Sequence, residues 1–236
     1  LEHGLPQAEA APEPRPTPRR LVLWLALATL GSVTLLAVSN HLTQNISSIP
    51  LLWVIPLAVY LLTFILCFEG TWAYRRDAFL GVLVWVLCVM AWFLADKRLQ
   101  FELALQIGGF TVGLFVVCMF CHGELARLRP GPRHLTLFYL VVSLGGVLGG
   151  VLVGIAAPLL LPGYFELEMA LVAVAVLALV VNLERPRPVL AMFAAVIAFT
   201  AGALAYRFDK HMEDTVLVER NFYGVLRVKE VQAKDG

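Results

Sequence analysis

Seven apolar runs, each about as long as a membrane-spanning helix, occupy most of the chain between Leu21 and Tyr206. A helix needs about 20 apolar residues to cross roughly 30 Å of hydrocarbon. No charged side chain lies in the middle of a run. The pattern therefore predicts an all-α fold, a polytopic transmembrane helix bundle of about seven spans. The runs cover residues 21–39, 51–68, 78–95, 103–121, 137–161, 164–183 and 188–206.

Composition excludes an ordinary soluble domain. Hydrophobic residues make up 60% of the chain and charged residues 15%, with a mean hydropathy of +0.81. A soluble protein of this length needs far more polar surface. The net charge of +1 gives no reason to expect a nucleic-acid partner. The expected partner is the lipid bilayer, with assembly into a homo-oligomer left open.

The distribution of cationic residues predicts the orientation. Counting the N-terminal stretch as connection zero, even-numbered connections carry ten Lys and Arg residues and odd-numbered connections carry two. Cationic loops face the cytoplasm by the positive-inside rule. We therefore expect a multi-pass protein with a cytoplasmic N-terminus, and seven crossings leave the C-terminal tail outside. The ten are Arg15, Arg19, Arg20, Arg75, Arg76, Arg127, Arg129, Arg133, Arg185 and Arg187, and the two are Lys97 and Arg98.

Residue composition divides the chain into three parts. Residues 1–20 are rich in proline and predict a disordered linker, followed by the bundle at 21–206. Residues 207–236 are charged, and from Gly224 polar and apolar residues alternate with the period of a half-buried strand. The stretch "TVLV" is a candidate second strand, and Asp235-Gly236 is typical of a hairpin turn. We expect this third part to be the start of a truncated soluble domain.

One uncharged connection is rich in hydrogen-bonding groups and precedes a proline-containing run, in which Pro56 predicts a kink. These features suggest a substrate path, with aromatic faces such as Trp85 as further cation sites. An interfacial cap and lipid-facing aromatic residues are the alternatives. The residues assigned to the path are Asn40, His41, Gln44, Asn45, Ser47, Trp53 and Tyr60.

The fifth run carries glycines at a spacing of four, which leaves nearly bare backbone on one helix face. Small residues at this spacing allow membrane helices to approach closely. We therefore predict a helix-packing surface, with a pivot or a substrate contact as the alternative. Its residues are Gly145, Gly146, Gly149, Gly150 and Gly154.

The segment "CHGELARLRPGPRH" predicts a basic cytoplasmic loop that contains His122, Glu124, Arg127 and Arg133. If helix continued through it, His122 and Glu124 would lie about 200° apart and could not hold one ion together. Glu124 is expected to form a surface ion pair worth about 0–1 kcal/mol, and the arginines to meet anionic lipids or a docked domain.

Cysteine placement argues against a cofactor. The segment "CMFCH" at 118–122 matches the pattern for c-type haem attachment, but Cys118 falls inside an apolar run. All four cysteines lie in or at the ends of apolar runs, where small buried hydrophobic side chains are expected. We predict no metal, no cofactor and no catalytic residue in this chain.

Three segments carry a family resemblance: "TQNISSIPLLWVIPLAVYLLTFILCF" at 43–68, "CHGELARLRPGPRHLTLFYLVVSLGGVLGG" at 121–150 and "ERNFYGVLRVKE" at 219–230. They resemble the membrane portion of bacterial fusion proteins that join a transporter-like, major-facilitator-like bundle to a spermidine-synthase-like domain. The resemblance covers about residues 20–230. It implies a multi-pass protein of the bacterial inner (plasma) membrane, with flanking domains of the same polypeptide as partners.

The resemblance further implies that the absent domain would transfer an aminopropyl group to a polyamine. None of its catalytic motifs is present, so whether the full-length protein is an enzyme is left open. The family's acidic residue near Asn45 is absent, which argues against cation binding by that connection. A polyamine synthase should also face the cytoplasm, whereas the charge distribution puts the tail outside.

Three functions follow as hypotheses. The leading one is a membrane portion that anchors or feeds a polyamine-related domain. The second is a transporter of small molecules, including polyamines or other cations, which should lose flux on bulky substitution at Asn45 or Ser47. The third is a structural membrane subunit, which should lose assembly on Gly149→Leu.

Overall fold

The computed structural model describes residues 15–46, 51–70, 74–95, 102–213, 215–221 and 224–229. Seven helical rods lie within these ranges, one for each apolar run, and they confirm the all-α bundle. The first rod is α1 (Pro18–Asn40) extended by a π-helical segment (His41–Ile46), and the fifth joins α5 (Leu135–Val151), a π-helical turn (Leu152–Ala156) and α6 (Ala157–Leu160). The others are α2 (Val54–Glu69), α3 (Arg76–Ala95), α4 (Leu103–Arg127), α7 (Glu166–Val181) and α8 (Arg187–Met212).

Length and composition make the protein membrane-embedded. Five helical segments of the described chain are long and apolar enough to cross a bilayer, and α2 is apolar but only 16 residues long. Large apolar side chains also cover the outside of the bundle, with Trp85 66% and Leu159 79% exposed. Such a surface suits contact with lipid. The five segments are Pro18–Gln44, Arg76–Ala95, Leu103–Arg127, Pro132–Leu160 and Arg187–Met212.

Two prolines affect their helices in ways that the sequence did not predict. The predicted kink at Pro56 is wrong, because α2 begins at Val54 and Pro56 lies in its first turn, where a missing N–H leaves no helical hydrogen bond unmade. Pro158, by contrast, follows the π-helical turn Leu152–Ala156. A proline ring inside a helix clashes with the carbonyl four residues earlier. Widening the helix before Pro158 relieves that conflict.

Helix α1 forms the centre of the bundle and packs against α4, α5 and α7. Trp24 and Leu27 of α1 are fully buried, and the Trp24 ring meets the edge of Phe138 at a centroid distance of 5.1 Å. Two buried threonines donate within their own helices, Thr34 Oγ1 to Leu30 O at 2.7 Å and Thr200 Oγ1 to Val196 O at 2.9 Å. These two hydroxyls therefore need no partner from another helix.

The bundle has two opposite ends, which we name the basic end and the hairpin end. At the basic end α1 and α3 begin where α4 and α7 finish. Arg20 Nη2 donates to Leu128 O at 2.8 Å, and Arg76 Nη2 donates to Val181 O at 3.2 Å. At the hairpin end, α6 connects to α7, and α8 is followed by the strands.

The two strands are β1 (Thr215–Asn221) and β2 (Gly224–Lys229), which pair antiparallel. Val218 stands opposite Arg227, and Asn221 opposite Gly224. This confirms the alternating pattern as a strand and "TVLV" as its neighbour. The predicted linker at 1–20 is described only from residue 15, and the predicted turn at Asp235-Gly236 lies outside the described residues.

Candidate functional site

The residues assigned to a substrate path do not come together in the described structure. Asn40 ends α1, and the His41 ring packs against Phe110 at a centroid distance of 4.4 Å. Gln44 is exposed in the π-helical segment, and Trp53 is 51% exposed at the start of α2. The side chain of Asn45 and all of Ser47 lie outside the described residues.

Tyr60, the last residue of that set, belongs to a separate polar group inside the bundle. Its hydroxyl lies 3.5 Å from Ser32 Oγ of α1, and its ring meets the ring of His122 at 4.8 Å between centroids. Thr63 Oγ1 lies 3.0 Å from His122 Nδ1. A Cβ at Gly31 would stand 3.4 Å from His122 Nε2. Three helices thus enclose one imidazole.

The interpretation of His122, Glu124 and Arg127 as loop residues is wrong, because α4 continues to Arg127 and buries the first two. Arg133 lies in the 3₁₀ turn Pro132–His134 that leads into α5. His122 points toward Tyr60 and Thr63 of α2, whereas Glu124 points toward Arg76 and Arg127. The different directions agree with the angle of about 200° between the two positions on a helix.

Glu124 is 1% exposed and gathers three partners at the basic end. Arg76 Nε lies 2.9 Å from Oε1, Arg127 Nη1 donates to Oε2 at 2.8 Å, and the Tyr74 hydroxyl donates to Oε1 at 3.0 Å. The pair is therefore buried rather than superficial. Burial and then the Glu124 charge raise the pKa of Tyr74, so its hydroxyl stays a donor. A Cβ at Gly123 would overlap the Tyr74 ring at 2.4 Å, so glycine makes room for it.

Cys118, Cys121 and Cys67 are buried around the same part of α4, and Cys67 Sγ lies 3.7 Å from Met119 Sδ. No group of three His, Cys, Asp or Glu side chains within the described ranges could hold a metal ion. The "CMFCH" segment is enclosed by helices, with its cysteines fully covered by protein. A porphyrin has no room beside them.

The glycine face of α5 divides into a packed part and an open part. A Cβ at Gly145 would come within 2.6 Å of Ala28 Cβ, and one at Gly149 within 2.6 Å of Ser32 Cβ. The spacing of four on α5 thus meets the same spacing of small residues on α1. At Gly146 the nearest atom is Ser32 Oγ at 3.7 Å, and nothing lies within 4 Å of a Cβ at Gly150 or Gly154.

The hairpin end contains two buried carboxylates in the first turn of α7. Glu166 and Glu168 are 5% and 4% exposed, and each is paired with an arginine from another element. Acidic side chains in the first helical turn also interact favourably with the helix dipole.

The Arg220 site, as we name it, consists of the Glu166 carboxylate, the Gly163 carbonyl and the Tyr164 ring. Arg220 of β1 donates through Nη2 to Glu166 Oε1 and through Nη1 to Gly163 O at 2.5 Å. Its guanidinium carbon stands 4.6 Å from the centroid of the Tyr164 ring. Both side chains of the ion pair are only 4% exposed.

The Arg207 site, formed by the Glu168 carboxylate and the Phe165 ring, repeats the combination of a carboxylate and an aromatic ring. Arg207 of α8 pairs with Glu168 and stands 5.7 Å from the centroid of the Phe165 ring. The segment Tyr164-Phe165-Glu166-Leu167-Glu168 therefore holds two guanidinium groups, each between an aromatic face and a carboxylate. One arginine comes from the bundle and the other from the hairpin.

A cavity of about 270 Å³ opens beside Glu166, between α1, the π-helical turn, α6 and α7. Its walls are almost wholly apolar, and small residues such as Ala156, Ala170 and Ala173 leave the space. Among the described residues that line it, Glu166 alone is charged.

Sequence reasoning missed the Arg220 and Arg207 sites. The sequence prediction counted the cationic residues of each connection and assigned no role to Glu166 and Glu168 in the connection at 162–168. The available signal was the segment "GYFELE". Carboxylates so close to the end of an apolar run need cationic partners on the same side of the membrane. Arg207 and Arg220 are on the predicted same side as that connection. Comparison of the chain with family models, with curated proteins and with solved structures finds no match.

Proposed function

We propose that this chain is a membrane anchor that holds an extramembrane β-structure on one end of its helical bundle. The Arg220 site is the observation that carries the proposal. Arg220 belongs to a strand beyond the last helix, yet its side chain is buried against Glu166 of α7. Removing one partner of a buried ion pair costs about 3–5 kcal/mol. Undocking the hairpin would leave Glu166 without this cationic partner, so the pair favours the docked position.

The resemblance makes the proposal more specific. In its terms, β1 and β2 are the first strands of a spermidine-synthase-like domain, and the bundle anchors and orients that aminopropyltransferase-like domain. Two facts support this reading: the residues from Gly224 alternate with the period of a strand, and an isolated hairpin is marginally stable in water. Docking on the bundle supplies support that a free hairpin lacks.

Orientation is part of the same proposal. The excess of arginine at the basic end supports a cytoplasmic N-terminus in a bacterial inner membrane. Seven crossings then leave the hairpin on the opposite side. A domain held there does not meet cytoplasmic metabolites, so the anchoring role does not depend on aminopropyl transfer. Reporter fusions after Gln44 and after Lys229 test this, and the account expects both on the outer side.

Hydrogen exchange of the full chain in lipid nanodiscs tests the anchor. Arg220→Ala should speed amide exchange in residues 215–229 by at least about tenfold, because the buried cation that fixes the hairpin is gone. Exchange within α4 should stay the same, since the bundle keeps its own contacts. The matched control is Leu226→Ala, a change on the same hairpin at a side chain that is 64% exposed.

Equal exchange of the hairpin in wild type and Arg220→Ala would contradict the anchor, because docking would not depend on the ion pair. Loss of protection in the Leu226→Ala control would contradict it too, because the hairpin would then respond to any change.

Transport of a small cation or polar molecule is the second candidate, favoured by the polar group formed by Ser32, Tyr60, Thr63 and His122 in the bundle interior. Polar groups at membrane depth commonly mark a pathway. His122→Phe should then abolish flux in proteoliposomes while hairpin protection stays unchanged. A structural role for this group predicts instead a loss of bundle stability and no flux in the wild type.

A further inference from the structure

We infer that the Arg220 site binds an amphiphilic organic cation, whose ammonium or guanidinium head takes the place of the Arg220 guanidinium at Glu166 and whose alkyl tail enters the neighbouring cavity. The inference deepens the proposed function, since it rests on the same docking of the hairpin. Arg220 is then the built-in occupant of the site, and a ligand of this class competes with it.

The first observation is that the site already recognises a cation by three different kinds of contact. The Glu166 carboxylate supplies charge, Gly163 O accepts a hydrogen bond at 2.5 Å, and the Tyr164 ring faces the guanidinium carbon at 4.6 Å. A carboxylate with an aromatic face is a common combination for organic cations. None of these groups depends on the cation being attached to β1.

The second observation is independent of Arg220 and concerns the cavity. Its walls are apolar, its volume is about 270 Å³, and Glu166 is the charged residue that lines it. At roughly 30 Å³ for a water-sized group, this space accommodates an alkyl chain of several carbons. A ligand with a cationic head and an apolar tail matches the carboxylate and the cavity together, whereas a small inorganic cation would leave the cavity empty.

The Arg207 site shows why the first site is the exchangeable one. Arg207 lies within α8, which packs against α3 and α7, so displacing its guanidinium from Glu168 would release no element from the bundle. Glu168 does not line the cavity beside Glu166. Arg220 lies on a two-stranded hairpin at the edge of the bundle and can withdraw with it. Ligand occupancy would therefore release the hairpin, which gives the site a regulatory consequence.

The test uses n-octylguanidinium as the probe and n-octanol as its neutral counterpart, with the chain in lipid nanodiscs. Arg220→Ala should bind n-octylguanidinium at least about tenfold more tightly than wild type, because the competing occupant is gone. The double variant Arg220→Ala/Glu166→Gln should lose that gain. Arg207→Gln is the matched control, since it frees a carboxylate that does not line the cavity beside Glu166, and it should show no gain.

A second measurement needs no variant. In the wild type, n-octylguanidinium should accelerate amide exchange in residues 215–229, and n-octanol should not. If Arg220→Ala does not fold, this measurement decides alone.

Two results would overturn the inference. The first is equal binding of n-octanol and n-octylguanidinium, or of the probe to Arg220→Ala and the double variant, which would mean that the cavity takes lipid-like chains only. The second is wild-type hairpin exchange that the probe leaves unchanged. Failure of the inference leaves the anchor intact, because the exchange of Arg220→Ala without any probe is a separate readout.

Discussion

The two ends of the bundle use the same chemistry for different purposes. At the basic end, Glu124 is buried among groups that all belong to α4 or to α3 and the segment before it, and arginines cap the carbonyls of helices that finish there. At the hairpin end, Glu166 is buried with an arginine from a strand outside the bundle. Among the described residues, buried carboxylates thus join helix to helix at both ends, through Glu124 and Glu168, while Glu166 at the hairpin end joins an element outside the bundle to it.

Loss of Glu124 should have the largest effect on the bundle. Glu124→Gln leaves Arg76, Arg127 and Tyr74 without their shared anion, and we expect a loss of about 3 kcal/mol, the low end for a broken buried pair because the two arginines are partly exposed. Unfolding in a denaturing detergent series measures this. Arg127→Gln, at a side chain that is 49% exposed, is the control and should cost less than about 1 kcal/mol.

If both variants unfold like wild type, the basic end does not depend on its buried carboxylate and the comparison of the two ends fails. Hairpin exchange should be unchanged in Glu124→Gln under conditions where the bundle stays folded.

The contact between α1 and α5 lies between the two ends of the bundle. Disturbing it should have the next largest effect on stability. Gly149→Leu should cost about 2 kcal/mol, typical of overpacking, because a Cβ there already meets Ser32 Cβ at 2.6 Å. Gly150→Leu is the matched control, since nothing lies within 4 Å of a Cβ at that position. Detergent unfolding of both variants measures the difference. Equal stability of the two would show that the contact between α1 and α5 is not close.

Alkaline pH should weaken the basic end through Tyr74, with the smallest effect. The raised pKa of Tyr74 means that the folded state favours the protonated hydroxyl, so its contribution is present below about pH 10 and is lost as pH rises further. The difference in unfolding free energy between wild type and Tyr74→Phe should shrink by at most about 1.4 kcal/mol per pH unit above that value. A constant difference from pH 8 to 11 would contradict the burial of this hydroxyl.

The spans and the hairpin were predictable because each depends on local composition or period. Apolar runs of about 20 residues have one solution in a membrane, and the alternation after Gly224 has the period of a strand. Pro56 was misread because its effect depends on where the helix begins, and α2 begins at Val54. Exact helix ends depend on capping and tertiary contacts rather than on hydropathy.

The candidate site was harder to predict because it consists of contacts between distant parts of the chain. Arg220 and Glu166 are 54 residues apart, and no local pattern pairs them. Hydropathy alone predicts a surface position for Glu124, which follows the end of an apolar run, yet α4 continues past it and Arg76 approaches from another helix. Of the glycine face, the spacing predicted packing, but only the partner helix determined that Gly145 and Gly149 are the residues that make it.

Charge exchange at the Arg220 site tests the central claim most directly. Glu166→Arg and Arg220→Glu should each release the hairpin, and the double variant Glu166→Arg/Arg220→Glu should restore docking, because the two side chains meet in one buried pair. Hydrogen exchange of residues 215–229 is the measurement. The account predicts fast exchange in both single variants and recovered protection in the double variant. Additive loss of protection in the double variant would contradict it.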